Sequence, residues 1–313
     1  MRMFIVGAGA LGLLYAARLA RDGVPVTLLT RTRQQAEAIL EQGVSLTDEN
    51  GRTDLRIVAQ PIDALRDGGR AVPASERDWI WLAVKQPHIN EPLLEALGRL
   101  AAKGSPVIAL QNGIGHLDVL REALPDSLLH AAVSTEGALK TGDCAVRHTG
   151  HGSLTFGLWP GGRTEDGEAQ KMLLQKLEAA GIAAFLSNEM GNQIYRKLLV
   201  NAVINPLTAL FGVTNGRLPE EPVRLSLMKS LHAETERILE SAGMERDASS
   251  WDRLFAVCRQ TAENESSMLR DVRAGRGTEI DWINGGVSRL ARKYRLPSPL
   301  NDAMTAIVKA LMT

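Results

Sequence analysis

Cysteine is nearly absent: Cys144 and Cys258 are the only two in 313 residues, and they stand far apart. That argues against a disulfide scaffold or a cysteine-based zinc site and leaves reduced thiols in a cytoplasmic protein as the expectation. Net charge is absent too, since 36 Lys and Arg balance 36 Asp and Glu. There is no global basic field for nucleic acid or an anionic membrane surface, while local clusters remain free to bind phosphate. No apolar run is long enough to suggest a bilayer span. Phe4 to Ala17 after Arg2 superficially imitates a signal peptide, but Gly7, Gly9 and Gly12 interrupt it where a dinucleotide fold needs them. Export is therefore not expected. The six histidines include no convincing catalytic dyad, and His148 and His151 lack the Cys or acidic cluster that would complete a metal site, so they read as structural or loop residues. There is no internal repeat or low-complexity segment.

What is present fits two domains, because the chain exceeds the usual size of one core. Strand patterns at Met3 to Val6 and Val24 to Leu29 enclose a glycine motif and a helix from Leu11 to Ala20. Further strands are expected at Leu55 to Ala59, Trp79 to Val84 and Val107 to Leu110, with a helix at Pro92 to Ala102 and a surface loop from Asp67 to Arg77. Ser153 to Leu158 and Ala183 to Leu186 read as strands around a helix from Glu165 to Ala180. After Asn188 the strand signals largely stop. Helices are expected at Gly191 to Val203, Pro222 to Ala242, Ser250 to Glu263, Glu279 to Lys293 and Asn301 to Met312. The expected fold is α/β, with an N-terminal Rossmann-type doubly wound parallel sheet in 1–188 and a C-terminal all-helical domain in 189–313.

The loop Gly7, Ala8, Gly9, Ala10, Leu11 and Gly12 follows a strand and opens a helix, the context a dinucleotide fingerprint requires. Its first two glycines allow a tight turn and a close approach to the pyrophosphate, which the helix N-terminus attracts. An NAD enzyme commonly carries Asp or Glu at the end of the second strand. Here Thr30, Arg31, Thr32 and Arg33 occupy that place, and a guanidinium fork favours a 2′-phosphate. Lys85 and Asn112 fall at the carboxyl ends of strands, where ligands bind in such sheets. Lys85 reads equally as a surface lysine, and Asn112 beside Gly113 equally as a turn.

In the second half, Lys197, Asn201 and Asn205 are spaced by four, which puts them on one side of a helix within roughly 80°. Pro206 is expected to end or kink that helix, leaving the stripe at an exposed edge. The runs YRKLLVNAVINPLTALFGVTN (195–215) and NESSMLRDVRAGRGTEIDWING (264–285) resemble the C-terminal signature of the ketopantoate reductases (2-dehydropantoate 2-reductases), and with the glycine motif the similarity spans nearly the whole chain.

That resemblance implies NADP(H) as cofactor and a small 2-oxo acid as substrate. It makes Arg31 the phosphate-binding arginine, Lys85 a cofactor-side lysine and Asn112 a residue near both nicotinamide and substrate. It implies Lys197 as the proton donor, Asn201 and Ser267 as substrate contacts, Asn205 as a residue that places the lysine or the substrate, and Glu279 as the carboxylate that orients the lysine or binds the substrate hydroxyl. Asn215 corresponds to a further substrate-region asparagine, although beside Gly216 it reads almost equally as a turn. His88 departs from a glutamine of some relatives, and no role is carried over to it. Arg270, Asp271, Arg273 and Arg276 read as a charged helix surface. Two alternatives are a paralogue reducing another branched 2-oxo acid and a catalytically silent NADPH sensor. The sequence does not set the oligomeric state, for which a homodimer is the assembly considered.

Overall fold

The computed structural model describes residues 1–65, 74–159 and 167–312. Much of the loop expected at Asp67 to Arg77, and the start of the helix expected at Glu165, lie outside these residues. The chain divides into two compact units, one of Met1–Gln111 with His116–Met190 and the other of Asn112–Gly115 with Gly191–Thr313.

The first unit contains, in order, β1 (Met3–Val6), α1 (Ala10–Arg21), β2 (Val26–Thr30), α2 (Arg33–Gln42), β3 (Val44–Asp48), β4 (Gly51–Leu55), β5 (Val58–Pro61), β6 (Trp79–Leu82), α3 (Glu91–Leu100), β7 (Pro106–Ala109), α4 (His116–Ala123), β8 (Leu128–Ser134), β9 (Gly137–Gly142), β10 (Ala145–Gly150), β11 (Leu154–Leu158), α5 (Gly167–Ala179) and β12 (Ala184–Leu186). Eight strands form a sheet in the order β12-β11-β8-β7-β6-β1-β2-β5. It is parallel throughout except where β11 runs antiparallel to β8. The central strands MFIV, WIWL and PVIA are buried at every residue, as strands covered on both faces must be. Trp79 lies 4.7 Å from the His130 ring and 6.2 Å from Phe156, centroid to centroid, and fills the space beneath the sheet.

A second sheet, β4-β3-β10-β9, was not expected from the sequence. Helix α1 contacts both sheets, which is why Gly12 to Leu19 are buried all round and why its apolar pattern is continuous rather than one-sided. The single strand expected at Leu55 to Ala59 is in fact two. The chain leaves the smaller sheet at Leu55 and enters the larger at Val58, with Ile57 buried between them.

The second unit is helical: α6 (Met190–Phe211), α7 (Pro222–Ser241), α8 (Ser250–Gln260), α9 (Ser267–Arg273), α10 (Asn284–Lys293) and α11 (Pro299–Ala310). Of the two outcomes expected at Pro206, an end or a kink, the end does not occur: α6 runs on to Phe211. Proline at 206 has no N–H for the Ala202 carbonyl, and the Asn284 Nδ2 amide donates to that oxygen instead at 2.8 Å. The stripe therefore finishes inside the unit, with Asn205 only 7% exposed. The helix expected at Glu279 to Lys293 begins later, at Asn284. Glu279 itself lies in a turn whose carbonyl accepts the N–H groups of Trp282 and Ile283 at 3.0 and 3.1 Å.

Candidate active site

Three glycines of the loop after β1 carry three different constraints. Gly7 has φ +108°, and a methyl group there would come within 2.8 Å of Val84 Cγ1 and 2.9 Å of its nitrogen. A methyl at Gly12 would meet the Gly7 carbonyl oxygen at 1.9 Å, so α1 rests directly on the loop. At Gly9 a methyl would meet nothing within 4 Å. Gly9 is also the N-cap of α1, where no side chain accepts from the helix and no acidic residue occupies the first turn. Open space in front of uncapped helix N–H groups fits a pyrophosphate. Ala10 and Leu11 supply that first turn.

Gly7, Ala8 and Gly9 line a cleft of about 430 Å³ with Arg31, Lys85 and His88. Arg31 is exposed just beyond β2, and Lys85 is half-buried beyond β6. No carboxylate follows β2 directly; among the described residues the acidic one in the cleft wall is Asp63, from the turn Ile62–Leu65. Among the cleft residues that escaped the sequence reading are Gln35 and Lys140. Gln35 Nε2 donates to the Ala8 carbonyl at 3.0 Å and to that of Asp143 at 2.8 Å, tying the glycine loop to the β9–β10 turn. Its signal was available, because Thr32 and Gln35 have the spacing of a capping box, and Thr32 Oγ1 accepts from the Gln35 N–H at 3.3 Å. Lys140 lines the cleft from β9, a strand whose weakly apolar sequence gave no signal.

In the helical unit, Lys197 and Asn201 are half-buried on α6, one turn apart. Burial lowers the Lys197 ammonium from an ordinary value of 10.5 to about 8, against the opposing pull of the Glu279 carboxylate. Glu279 is itself buried, and its Oε2 accepts from Asn112 Nδ2 at 3.1 Å. Asn112 reaches it because Ile114 N–H donates to the Trp282 carbonyl at 3.2 Å and Gly113, at φ +79°, leaves room for that carbonyl. A cation, an anion and an amide from three distant stretches are thus brought into one electrostatic group.

The other candidate residues each sit in local structure of their own. Ser267 is the exposed first residue of α9. Its neighbour Ser266 caps that helix, accepting from Leu269 N–H at 3.0 Å and lying 2.6 Å from Thr208 Oγ1 of α6. Asn215 is buried in the turn Asn215–Arg217, where its Nδ2 donates to Thr261 Oγ1 at 2.9 Å, so its amide holds a turn. Asp271 is not part of a charged surface: it is 6% exposed and accepts from Arg276 Nε at 3.3 Å. His148 and His151 bond to Glu136 and Glu49, at 2.7 and 3.1 Å.

The chain is similar in sequence and fold to proteins already described. A 2-dehydropantoate 2-reductase of Pyrococcus abyssi (strain GE5 / Orsay) is 31% identical over 309 residues, covering 99% of this chain and 97% of that protein. The crystal structure of a PanE/ApbA family ketopantoate reductase from Ralstonia eutropha JMP134 matches with a TM-score of 0.87 at 25% identity, over 100% of this chain and 98% of that one. The ternary structure of D-mandelate dehydrogenase with NADH and anilino(oxo)acetate gives 0.86 at 25% identity, again over 100% and 98%. Residues 3–161 match the family model described as ketopantoate reductase PanE/ApbA, and residues 189–312 match its C-terminal counterpart; the chain belongs to the ketopantoate reductase PanE/ApbA family.

Proposed function

We propose that this protein reduces 2-dehydropantoate (ketopantoate) to pantoate with NADPH, a step of pantothenate and coenzyme A biosynthesis. The observation that carries the reading is the Lys197 ammonium, lowered to about 8 by burial and still favoured by the charge of Glu279. An acid in that range donates readily near neutral pH. NADPH, when bound, supplies the hydride to the ketone carbon. Lys197 stabilises the negative charge growing on the ketone oxygen, then passes its proton there, giving the secondary alcohol and a neutral amine that solvent recharges. Glu279 holds the ammonium in place or accepts from the substrate hydroxyl, and Asn112 fixes the carboxylate. Asn201, Asn205 and Ser267 are the proposed substrate contacts. Asn215 supports them only through its turn.

Gly7 to Gly12 would hold the pyrophosphate and Arg31 the 2′-phosphate, with Lys85 beside it. Residues 1–188 form the proposed NADPH-binding domain and 189–313 the proposed catalytic domain, to which Asn112 to Gly115 are lent. Free, buried Cys144 and Cys258 support a reducing cytoplasmic setting. A homodimer is the assembly to test, by mass in solution.

The D-mandelate dehydrogenase match is the reason to weigh other 2-oxo acids. A panel of them assayed with NADPH and NADH tests the proposal. Ketopantoate should give the highest kcat/KM, above 2-oxoisovalerate, which lacks the hydroxyl a polar site would pair. Equal specificity constants for the two would move the assignment to another branched 2-oxo acid. Tight NADPH binding with no turnover of any acid would favour a sensor, a role that needs neither Lys197 nor Glu279.

A further inference from the structure

We propose that His88 is a proton-dependent member of the 2′-phosphate site, so that preference for NADPH over NADH sharpens as pH falls. The inference rests on the NADPH reading given above. His88 closes the 3₁₀ turn Gln86–His88, and its N–H donates to the Lys85 carbonyl at 2.9 Å, which fixes the turn beside that lysine. Its side chain lines the same cleft as Arg31 and Lys85. Among the described residues, the charged groups facing that cleft are Arg31 from the end of β2, Asp63 from the turn after β5, Lys85 from the end of β6 and Lys140 from β9. Lys140 is already paired with Asp143 at 3.1 Å. Histidine is the one side-chain type among them whose ordinary range spans pH 5 to 8.

Partial desolvation against the cleft wall, and then the positive charges of Arg31 and Lys85, hold the imidazole below its ordinary value of 6.5. The free protein therefore carries His88 neutral at pH 7. A phosphate dianion set among the same cations reverses the local field and raises the imidazole's pKa. Between the free and bound values, NADPH binding takes up a proton, and affinity falls as pH rises through the bound value. The ribose hydroxyl of NADH has no such charge. The 2′-phosphate of free NADPH also gains a proton near pH ~6, as phosphate monoesters do, and that contribution is common to the wild type and to any variant.

The test measures NADPH and NADH dissociation constants by calorimetry from pH 5.5 to 8.5 on the full chain and on His88→Gln, in two buffers of different ionisation enthalpy. His88 is exposed, so the substitution leaves the core intact. The wild type should bind NADPH with more proton uptake than the variant. Its NADPH preference should gain, relative to the variant, about tenfold at low pH for each unit by which the phosphate raises the imidazole. Superimposable pH profiles and equal proton uptake would overturn the role of His88 while leaving NADPH preference intact. Equal affinity for both cofactors at every pH would overturn it too, by removing the NADPH reading on which it stands.

Discussion

An ammonium taken out of water surrenders its proton early, and Lys197 does so at about 8 instead of 10.5 because burial outweighs the attraction of Glu279. A general acid must be protonated to act, so kcat/KM should be level below pH 8 and fall as pH rises through about 8; a profile unchanged to pH 10 would exclude Lys197 as the acid. Lys197→Ala should lower kcat by about 10² to 10⁴ while NADPH still binds. At the other ligand, Arg31→Ala should raise the KM for NADPH by about 10- to 100-fold, the worth of charge-assisted hydrogen bonds, and leave that for NADH nearly unchanged. Equal losses with both cofactors would remove the phosphate contact. The glycine loop after β1, the place of Arg31 just beyond β2 and the helix that carries Lys197, Asn201 and Asn205 were legible because each is a local pattern, while the roles proposed for these residues came from the resemblance. The partnership of Asn112 with Glu279 joins residues 167 apart. Only the fold could supply it.

At the level of the element, α6 persists because one side chain replaces one missing donor. Asn284 Nδ2 serves the Ala202 carbonyl and also lies 3.0 Å from Asn301 Oδ1, while Glu234 accepts from the Asn301 N–H and Nδ2, both at 2.9 Å. Removing the amide strands a buried carbonyl, so Asn284→Ala should destabilise the protein by about 1–3 kcal/mol in denaturant unfolding. In a Pro206→Ala background the restored N–H can serve that carbonyl, and the loss should shrink; a fully additive double-mutant cycle would refute the substitution of donors. A proline inside an apolar run ordinarily argues for a helix end, and its rescue 78 residues away (284 less 206) leaves no local trace. The second sheet was hidden for a different reason. Strand β9 is exposed over half its length, so its pattern is not apolar, and the one local clue was the Asn50–Gly51 pair at the β3–β4 hairpin.

For the molecule as a whole, the balance of 36 basic and 36 acidic residues removes the self-repulsion that keeps chains apart, so solubility should pass through a minimum near the isoelectric pH of about 7.0 and rise on either side. Acid should act on stability through Asp78. Its carboxylate is opposed by burial yet held well below the usual range by the Arg2 guanidinium and N–H and by Ser75. That stability is present above the unfolded value of about 3.9 and disappears as pH falls toward the lower folded value. Asp78→Asn should therefore lower the Tm at pH 7, and the gap from wild type should narrow below pH ~4; a constant gap would assign the loss to packing. The placement of Asn112 to Gly115 among the helices has a further consequence, in the order of synthesis. At roughly 5–20 residues per second, Asn112 leaves the ribosome about 10–30 s before Glu279 is made. In the last part of that interval, once Met190 has completed the first unit, a growing chain can have a finished cofactor loop and no Glu279 carboxylate, so nascent chains that have passed Met190 should bind nucleotide before they can turn over substrate.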